Sequence, residues 1–159
     1  MPFSDSYANN ILNYLFAKTA SLTAPSAVYI GLSKNDPEAA GGTFDELSGK
    51  GYARVLIAQK GETYPNVIGS ASGRAITNTY QINWTKATAN WDLVNGFGLF
   101  DNANAGSGTP FFYGKLDLTD DEIVQGGKLV ESGAVALFDP GALRISFPTT
   151  DETASATAE

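Results

Sequence analysis

Two groups of carboxylates are the side chains of this sequence best suited to chemistry. The denser one holds Asp117, Asp120, Asp121 and Glu122, and the other holds Asp36, Glu38, Asp45 and Glu46. Paired carboxylates work as general acid and base, as in glycoside hydrolysis, when a cleft perturbs the pKa of one of them. Both groups stand in loop-like sequence with nothing to indicate such a cleft, so solvated loop acids are expected rather than a hydrolase pair. Most other catalytic chemistry is removed by two absences. The chain has no histidine and no cysteine. Triads and dyads built on either residue, histidine or thiolate metal sites, disulfides and histidine pH switches are therefore excluded within it. No catalytic residue and no cofactor is expected.

Acidic loops could still offer oxygen ligands to calcium. The pattern D-x-[DN]-x-[DN]-G fails at Asp101-Asn102-Ala103-Asn104-Ala105-Gly106, where alanine takes the third and fifth positions. Asp117 to Gly127 lacks both the spacing and the central glycine, so no metal site is expected. Gly96-Phe97-Gly98 and Gly69-Ser70-Ala71-Ser72-Gly73 lack the Walker pattern and its lysine, and neither opens a helix. Those glycines are expected to serve tight turns or close strand approach.

Aromatic side chains remain: nine Phe, seven Tyr and two Trp. Exposed Tyr or Trp can stack on sugar rings or anchor an interface. Trp84 continues an apolar strand face and reads as core, and Trp91 reads as a cap on one end of the fold. Tyr64, beside Pro65 and Asn66, reads as an exposed contact. Together with Asn102 and Asn104, in the loop that runs to Pro110, it forms the candidate ligand-contact surface, with carbohydrate as the candidate ligand.

The elements that must position these residues follow from periodicity. Residues 4–18 read as an amphipathic helix capped by Ser4 or Asp5, with Tyr7, Ile11 and Leu15 four apart and Leu12 and Phe16 widening the stripe. A helix this short cannot bury such a face alone, so Ile11, Leu12, Leu15 and Phe16 are expected to dock on a sheet or on another subunit. A membrane-surface helix would carry Lys or Arg on its polar face, where this one carries Asn9, Asn10 and Asn13.

From residue 26 the period becomes two. Val28, Ile30 and Leu32 alternate with Tyr29, Gly31 and Ser33, and Tyr52 to Gln59 places Val55 and Ile57 on one face. Ala75 to Trp84 places Tyr80, Ile82 and Trp84 together. Leu93 to Phe100 and Phe111 to Leu116 read as a hairpin. Ala134 to Phe138 and Leu143 to Phe147 read as a last pair joined through Asp139-Pro140-Gly141. Short strands broken by Gly, Pro and Asn loops predict a mainly β fold: an antiparallel β-sandwich, jelly-roll-like, with one N-terminal helix. Residues 1–148 are expected to form a single domain, and 149–159, which lack any large apolar residue, an acidic flexible tail.

Composition sets the remaining bounds. At 159 residues the chain can bury a real core, and its 10 basic against 17 acidic side chains give a formal net charge of −7. That balance disfavours nucleic acid, whose binding rests on Lys and Arg. No stretch approaches the roughly 20 apolar residues that span a bilayer. Met1-Pro2-Phe3-Ser4-Asp5-Ser6 lacks the basic lead and apolar run of a secretory signal, so a protein retained in the cytoplasm that made it is expected.

Several short motifs recur in a familiar order. They are Asn10-Ile11-Leu12-Asn13, Tyr29-Ile30-Gly31-Leu32-Ser33 leading to Asp36-Pro37, and Gly51-Tyr52-Ala53-Arg54-Val55. Asn83-Trp84-Thr85-Lys86-Ala87-Thr88-Ala89-Asn90-Trp91, Gly96-Phe97-Gly98-Leu99-Phe100-Asp101, Phe112-Tyr113-Gly114-Lys115-Leu116 and Leu143-Arg144-Ile145-Ser146-Phe147 complete them. The chain up to Pro148 thereby resembles the small tail-fibre-like structural proteins of tailed bacteriophages and prophages; Asp117 to Gly133 and the acidic tail depart from that pattern. The resemblance implies a mostly β virion component without a catalytic site, in a tail fibre or as a capsid-decorating cement protein. It also implies other virion proteins, tail or major capsid, as partners. Symmetric self-assembly is the default for such repeated parts, and analogy with fibres and cement proteins suggests a homotrimer.

Overall fold

The computed structural model of the chain describes residues 4–16, 18, 23–61, 67–117 and 127–146. Tyr64, the acids Asp120, Asp121 and Glu122, and the 149–159 tail lie outside the described residues. Ten acidic side chains and all ten Lys and Arg fall inside them. The surplus acids are Glu62, Asp120, Asp121, Glu122, Asp151, Glu152 and Glu159.

The helix α1 (Asp5–Leu15) begins at the expected cap. Ser4 is extended (φ −64, ψ 146), its Oγ accepts the Tyr7 N–H at 3.4 Å, and Asp5 sits in the positive first turn. The helix ends short of the expected residue 18. Phe16 leaves helical geometry (φ −97, ψ 21). Its N–H bonds to Leu12 O at 3.0 Å, and the Lys18 N–H reaches back to Asn13 O at 2.7 Å, which satisfies carbonyls at the helix end. Docking uses the first turns alone: the Tyr7 ring lies 5.3 Å from Phe111 and 6.1 Å from Phe112, and the Ser4 N–H donates to Phe111 O at 3.1 Å. No residue of α1 is buried.

The strands after α1 are β1 (Ala27–Ser33), β2 (Val55–Gln59), β3 (Ala75–Thr77), β4 (Ile82–Asn83), β5 (Gly96–Phe100), β6 (Phe112–Lys115), β7 (Leu137–Phe138) and β8 (Arg144–Ser146). The main sheet is antiparallel in the order β2-β1-β5-β6, with β5 and β6 the expected hairpin. One face carries Ile30, Leu32, Ile57, Phe97 and Leu99 into the core, where Ile82, Trp84, Trp91, Val94, Val130 and Leu143 meet them. The opposing layer is two ribbons, β3 with β8 and β4 with β7. The Phe138 ring joins the layers, 5.2 Å from Trp84 and 6.1 Å from Phe97, both edge-on. Each large side chain so buried contributes about 1.5–3 kcal/mol. The fold is mainly β, antiparallel, with a single short N-terminal helix among the described residues.

The second face of the main sheet is covered too, which simple alternation did not predict. Every residue of β5 is buried, as are Gly31 and Ser33 opposite it. The cover is the long connection 34–54, and glycine makes room for it. A Cβ on Gly31 would stand 2.7 Å from Glu46 Oε1, one on Gly98 would stand 2.8 Å from Phe44 Cε2, and one on Gly96 would overlap the Pro37 ring. Gly96-Phe97-Gly98 therefore serves close approach, as the sequence suggests.

Two strand expectations need correction. Ala134 to Phe138 and Leu143 to Phe147 do not pair with each other: β7 pairs with β4, and β8 with β3. Asn78 is the physical reason. Its Nδ2 donates to Tyr80 O at 2.9 Å and Asp139 O at 2.8 Å, its Oδ1 accepts the Leu143 N–H at 2.9 Å, and its own carbonyl accepts the Gly141 N–H at 2.8 Å. The chain turns around this side chain on both passes, and the two ribbons separate there. The same turn breaks the expected 75–84 strand, so Tyr80 is 64% exposed while Ile82 and Trp84 are buried.

Candidate functional site

The most constrained polar constellation sits under the 34–54 connection. Tyr52, Arg54 and Leu56 alternate with the core-facing Val55 and Ile57, so Tyr52 and Arg54 point onto the glycine-lined face of the sheet. Arg54 meets Glu46 in a bidentate pair, Nε to Oε1 at 2.7 Å and Nη2 to Oε2 at 2.7 Å, with side chains 0% and 6% exposed. Nη1 donates to Asn102 O at 3.1 Å and Asn102 Oδ1 at 2.9 Å, and Nη2 also donates to Ser107 O at 2.9 Å. All five guanidinium N–H groups are thus engaged. Glu46 additionally accepts the Tyr52 O–H at 2.9 Å and the Gly106 N–H at 2.6 Å. The Arg54 Cζ lies 3.4 Å from the centre of the Phe100 ring, a cation–π contact, and the edge of Phe44 closes the stack at 5.2 Å.

The Tyr52 hydroxyl also accepts the Leu32 N–H at 2.8 Å. Burial, and then the Glu46 carboxylate beside it, hold the Tyr52 pKa far above the ordinary phenol range. Glu46 is a correction to the expectation of solvated loop acids: it is a buried ion-pair partner. Sequence reasoning passed over Arg54 as well. Its signal was a charged residue at a strand position, in step with Tyr52, but nothing local names its partner.

The network fixes the loop that carries two of the candidate contact residues. Asn102 is half-buried and spends its side chain on Arg54, on the Asn104 N–H at 3.2 Å and on Asp101 Oδ1 at 3.2 Å. Asn104 is exposed at the turn. Arg54 therefore grips this hairpin loop on both limbs, at Asn102 and at Ser107, while Glu46 holds Gly106. Tyr64, the third candidate, lies outside the described residues.

The other acids are not brought together. Asp36 Oδ1 accepts the Glu38 and Ala39 N–H groups at 2.9 and 3.2 Å and shapes a turn. Asp45 pairs with Lys34 at 2.9 Å on the surface, and this bond holds the Lys34 pKa above its ordinary value. Asp117 is exposed on the rim of a cavity of about 620 Å3 whose walls include Leu32, Phe97, Leu116, Val130 and Phe138. No group of three or more acids placed to hold a metal occurs among the described residues. Trp84 is buried as expected, and its Nε1 has no partner among the described residues. Trp91 is buried, donates from Nε1 to Lys50 O at 2.9 Å and meets Tyr52 edge-on at 5.5 Å.

The helix contributes the opposite kind of surface. Ile11 is half-buried, whereas Leu12 is 51%, Leu15 67% and Phe16 71% exposed. These are the four residues whose stripe predicts docking, and the body of the chain covers only the end of it nearest Tyr7. No helix of the described residues is long and apolar enough to cross a membrane.

Residues 2–146 match the family described as podophage GP4 fiber I protein gp80. Among curated proteins nothing matches the chain.

Proposed function

Since the chain belongs to the podophage GP4 fiber I protein gp80 family, we propose that it is a non-enzymatic structural part of a phage virion, a fibre component that assembles through contacts between copies of itself. The observation that carries this reading is the exposed row of Leu12, Leu15 and Phe16 on a helix anchored to the body only at its start. Apolar side chains left open beside one another mark an interaction surface, and water penalises leaving them so. The chemistry elsewhere agrees: the buried charges at Glu46 and Arg54 are saturated by each other and by backbone, so neither has a free proton site to offer a substrate. The role assigned to Ile11, Leu12, Leu15 and Phe16 is the assembly interface. The partners are further copies, in a threefold group by analogy with fibres, and neighbouring tail or capsid proteins; the place is the virion, after synthesis in the bacterial host cytoplasm.

Light scattering after size exclusion tests the reading. Oligomers are expected, and removal of residues 1–20 is expected to shift them to monomer. A monodisperse monomer of the full chain at micromolar concentration would sink the proposal.

A second reading has one specific support. The 101–110 loop is held rigid from beneath by Arg54, which is how binding loops are presented on a scaffold. A receptor-reading loop with Asn104 at its exposed turn, assisted by Tyr64 and Asn102, fits carbohydrate as the ligand. A glycan array that shows no signal with the full chain would dispose of it.

A further inference from the structure

From the outward row of the β4–β7 ribbon we infer a glycan site, with Tyr80 as its stacking platform and Gln81, Asn83 and Asp139 as its hydrogen-bonding groups for a neutral pyranose. The inference rests on the carbohydrate reading above and moves the site from the 101–110 loop to the opposing layer.

Register fixes which side chains share this face. Ile82 pairs with Phe138 and points into the core, so Asn83 and its cross-strand neighbour Leu137 point outward, and both are exposed. The Trp84 N–H bond to Ala136 O at 3.0 Å carries the pairing one step on and leaves Val135 outward as well. At the other end Gln81 Nε2 donates to Asp139 Oδ1 at 2.9 Å across the two strands. Successive rungs of such a row stand about 7 Å apart.

The chemistry of the row suits a sugar. Val135, Leu137 and the Tyr80 ring leave apolar area in water, which the C–H face of a pyranose can cover. Beside them, Gln81 Oε1 and Asp139 Oδ2 have no partner among the described residues, and neither side-chain atom of Asn83 has one. Planar amides and a carboxylate so placed can meet the paired hydroxyls of a sugar ring. None of these six residues is Lys or Arg, and Asp139 is the one charge among them. Charge therefore selects an uncharged ligand over a phosphate, a sulfate or an acidic sugar.

The mounting is rigid before any ligand arrives. The buried Asn78 side chain donates to Tyr80 O at 2.9 Å and to Asp139 O at 2.8 Å, so one residue sets the backbone of both the platform and the carboxylate. The same turn takes Tyr80 off the alternation that would have buried it beside Ile82. Little ordering is left to oppose binding.

An array of neutral, amino and acidic glycans probed with the full chain tests this. Signal on neutral glycans is expected, about tenfold weaker with Tyr80→Ala and with Asn83→Ala. It should be retained with Tyr80→Phe, which keeps the ring, and with Asn104→Ala in the 101–110 loop. Tyr80, Asn83 and Asn104 are all exposed, and circular dichroism confirms that each variant remains folded. A silent array overturns this inference together with the carbohydrate reading. Signal that survives both Tyr80→Ala and Asn83→Ala overturns the inference alone, and its loss with Asn104→Ala returns the site to the loop. Signal confined to acidic glycans overturns it too, because these residues include no cation to hold them.

Discussion

Glu46 and Arg54 face each other across two parallel hydrogen bonds of 2.7 Å, beside Gly31, with no water-exposed atom to spare on the guanidinium. A buried pair of this kind is weak evidence of net stability, because removing two charges from water costs about as much as their attraction returns. What it does provide is an arrangement that is expensive to break on one side only. Arg54→Ala, which leaves Glu46 buried and unpaired, is expected to cost about 3–5 kcal/mol. Glu46→Gln combined with Arg54→Met should cost clearly less. Urea titration of the parent and the two variants measures this, and Arg54→Ala within about 1 kcal/mol of the parent would show that the pair is not structural.

Tyr52 predicts a fall in stability at high pH. Its folded pKa lies above the ordinary value of 10.0, so above that pH the unfolded chain has released a proton that the folded chain still holds. Stability is complete below pH 10 and drops as pH rises further, by about 1.4 kcal/mol per unit for this one group. Lys34, also raised above its ordinary 10.5, adds in the same direction, though its exposed pair with Asp45 makes that share small. Tyr52→Phe is expected to remove most of the slope between pH 10 and 11. At neutral pH it should cost about 1–3 kcal/mol, because the Leu32 N–H loses its acceptor. An unchanged alkaline slope would contradict this account.

The glycines under the connection cannot take a methyl group without displacement. Gly98→Ala would meet Phe44, Pro110 and Phe100 at 2.8 to 3.1 Å, and the expected loss is about 1–3 kcal/mol. Near-parent stability with unchanged near-ultraviolet dichroism would show that Phe44 moves aside freely.

Asn78 is expected to matter beyond its size. Asn78→Ala removes the acceptor of the Leu143 N–H and both Nδ2 bonds in the turn, at a cost of about 3 kcal/mol. Hydrogen exchange should show lost protection at Leu143 and Gly141 before the main sheet is affected, and uniform loss across β1 and β5 would refute a local role.

What could be read from the sequence was what is decided by near neighbours. Ser4 caps α1 through a residue three away, and the β5–β6 hairpin joins strands adjacent along the chain, so both were legible. Glu46 met Arg54 only because Gly31 and Gly98 leave space for a segment between them, and an absent Cβ has no periodicity to detect. The ribbon pairing escaped for a related reason: Asn78 bonds to residues 61 and 65 positions away, and nothing near it in the chain announces them. Among the contact candidates, the loop around Asn102 was recognisable as a loop, whereas its attachment to Arg54 was not.

The described residues hold equal numbers of acidic and basic side chains, and the seven surplus acids stand at Glu62, at 120–122 and within 151–159. The whole chain still carries a formal charge of −7, so crowded copies push one another apart within a Debye length. Whether two of them stick is then decided at touching distance, by shape and greasy area working against that repulsion, and added salt favours contact by screening it.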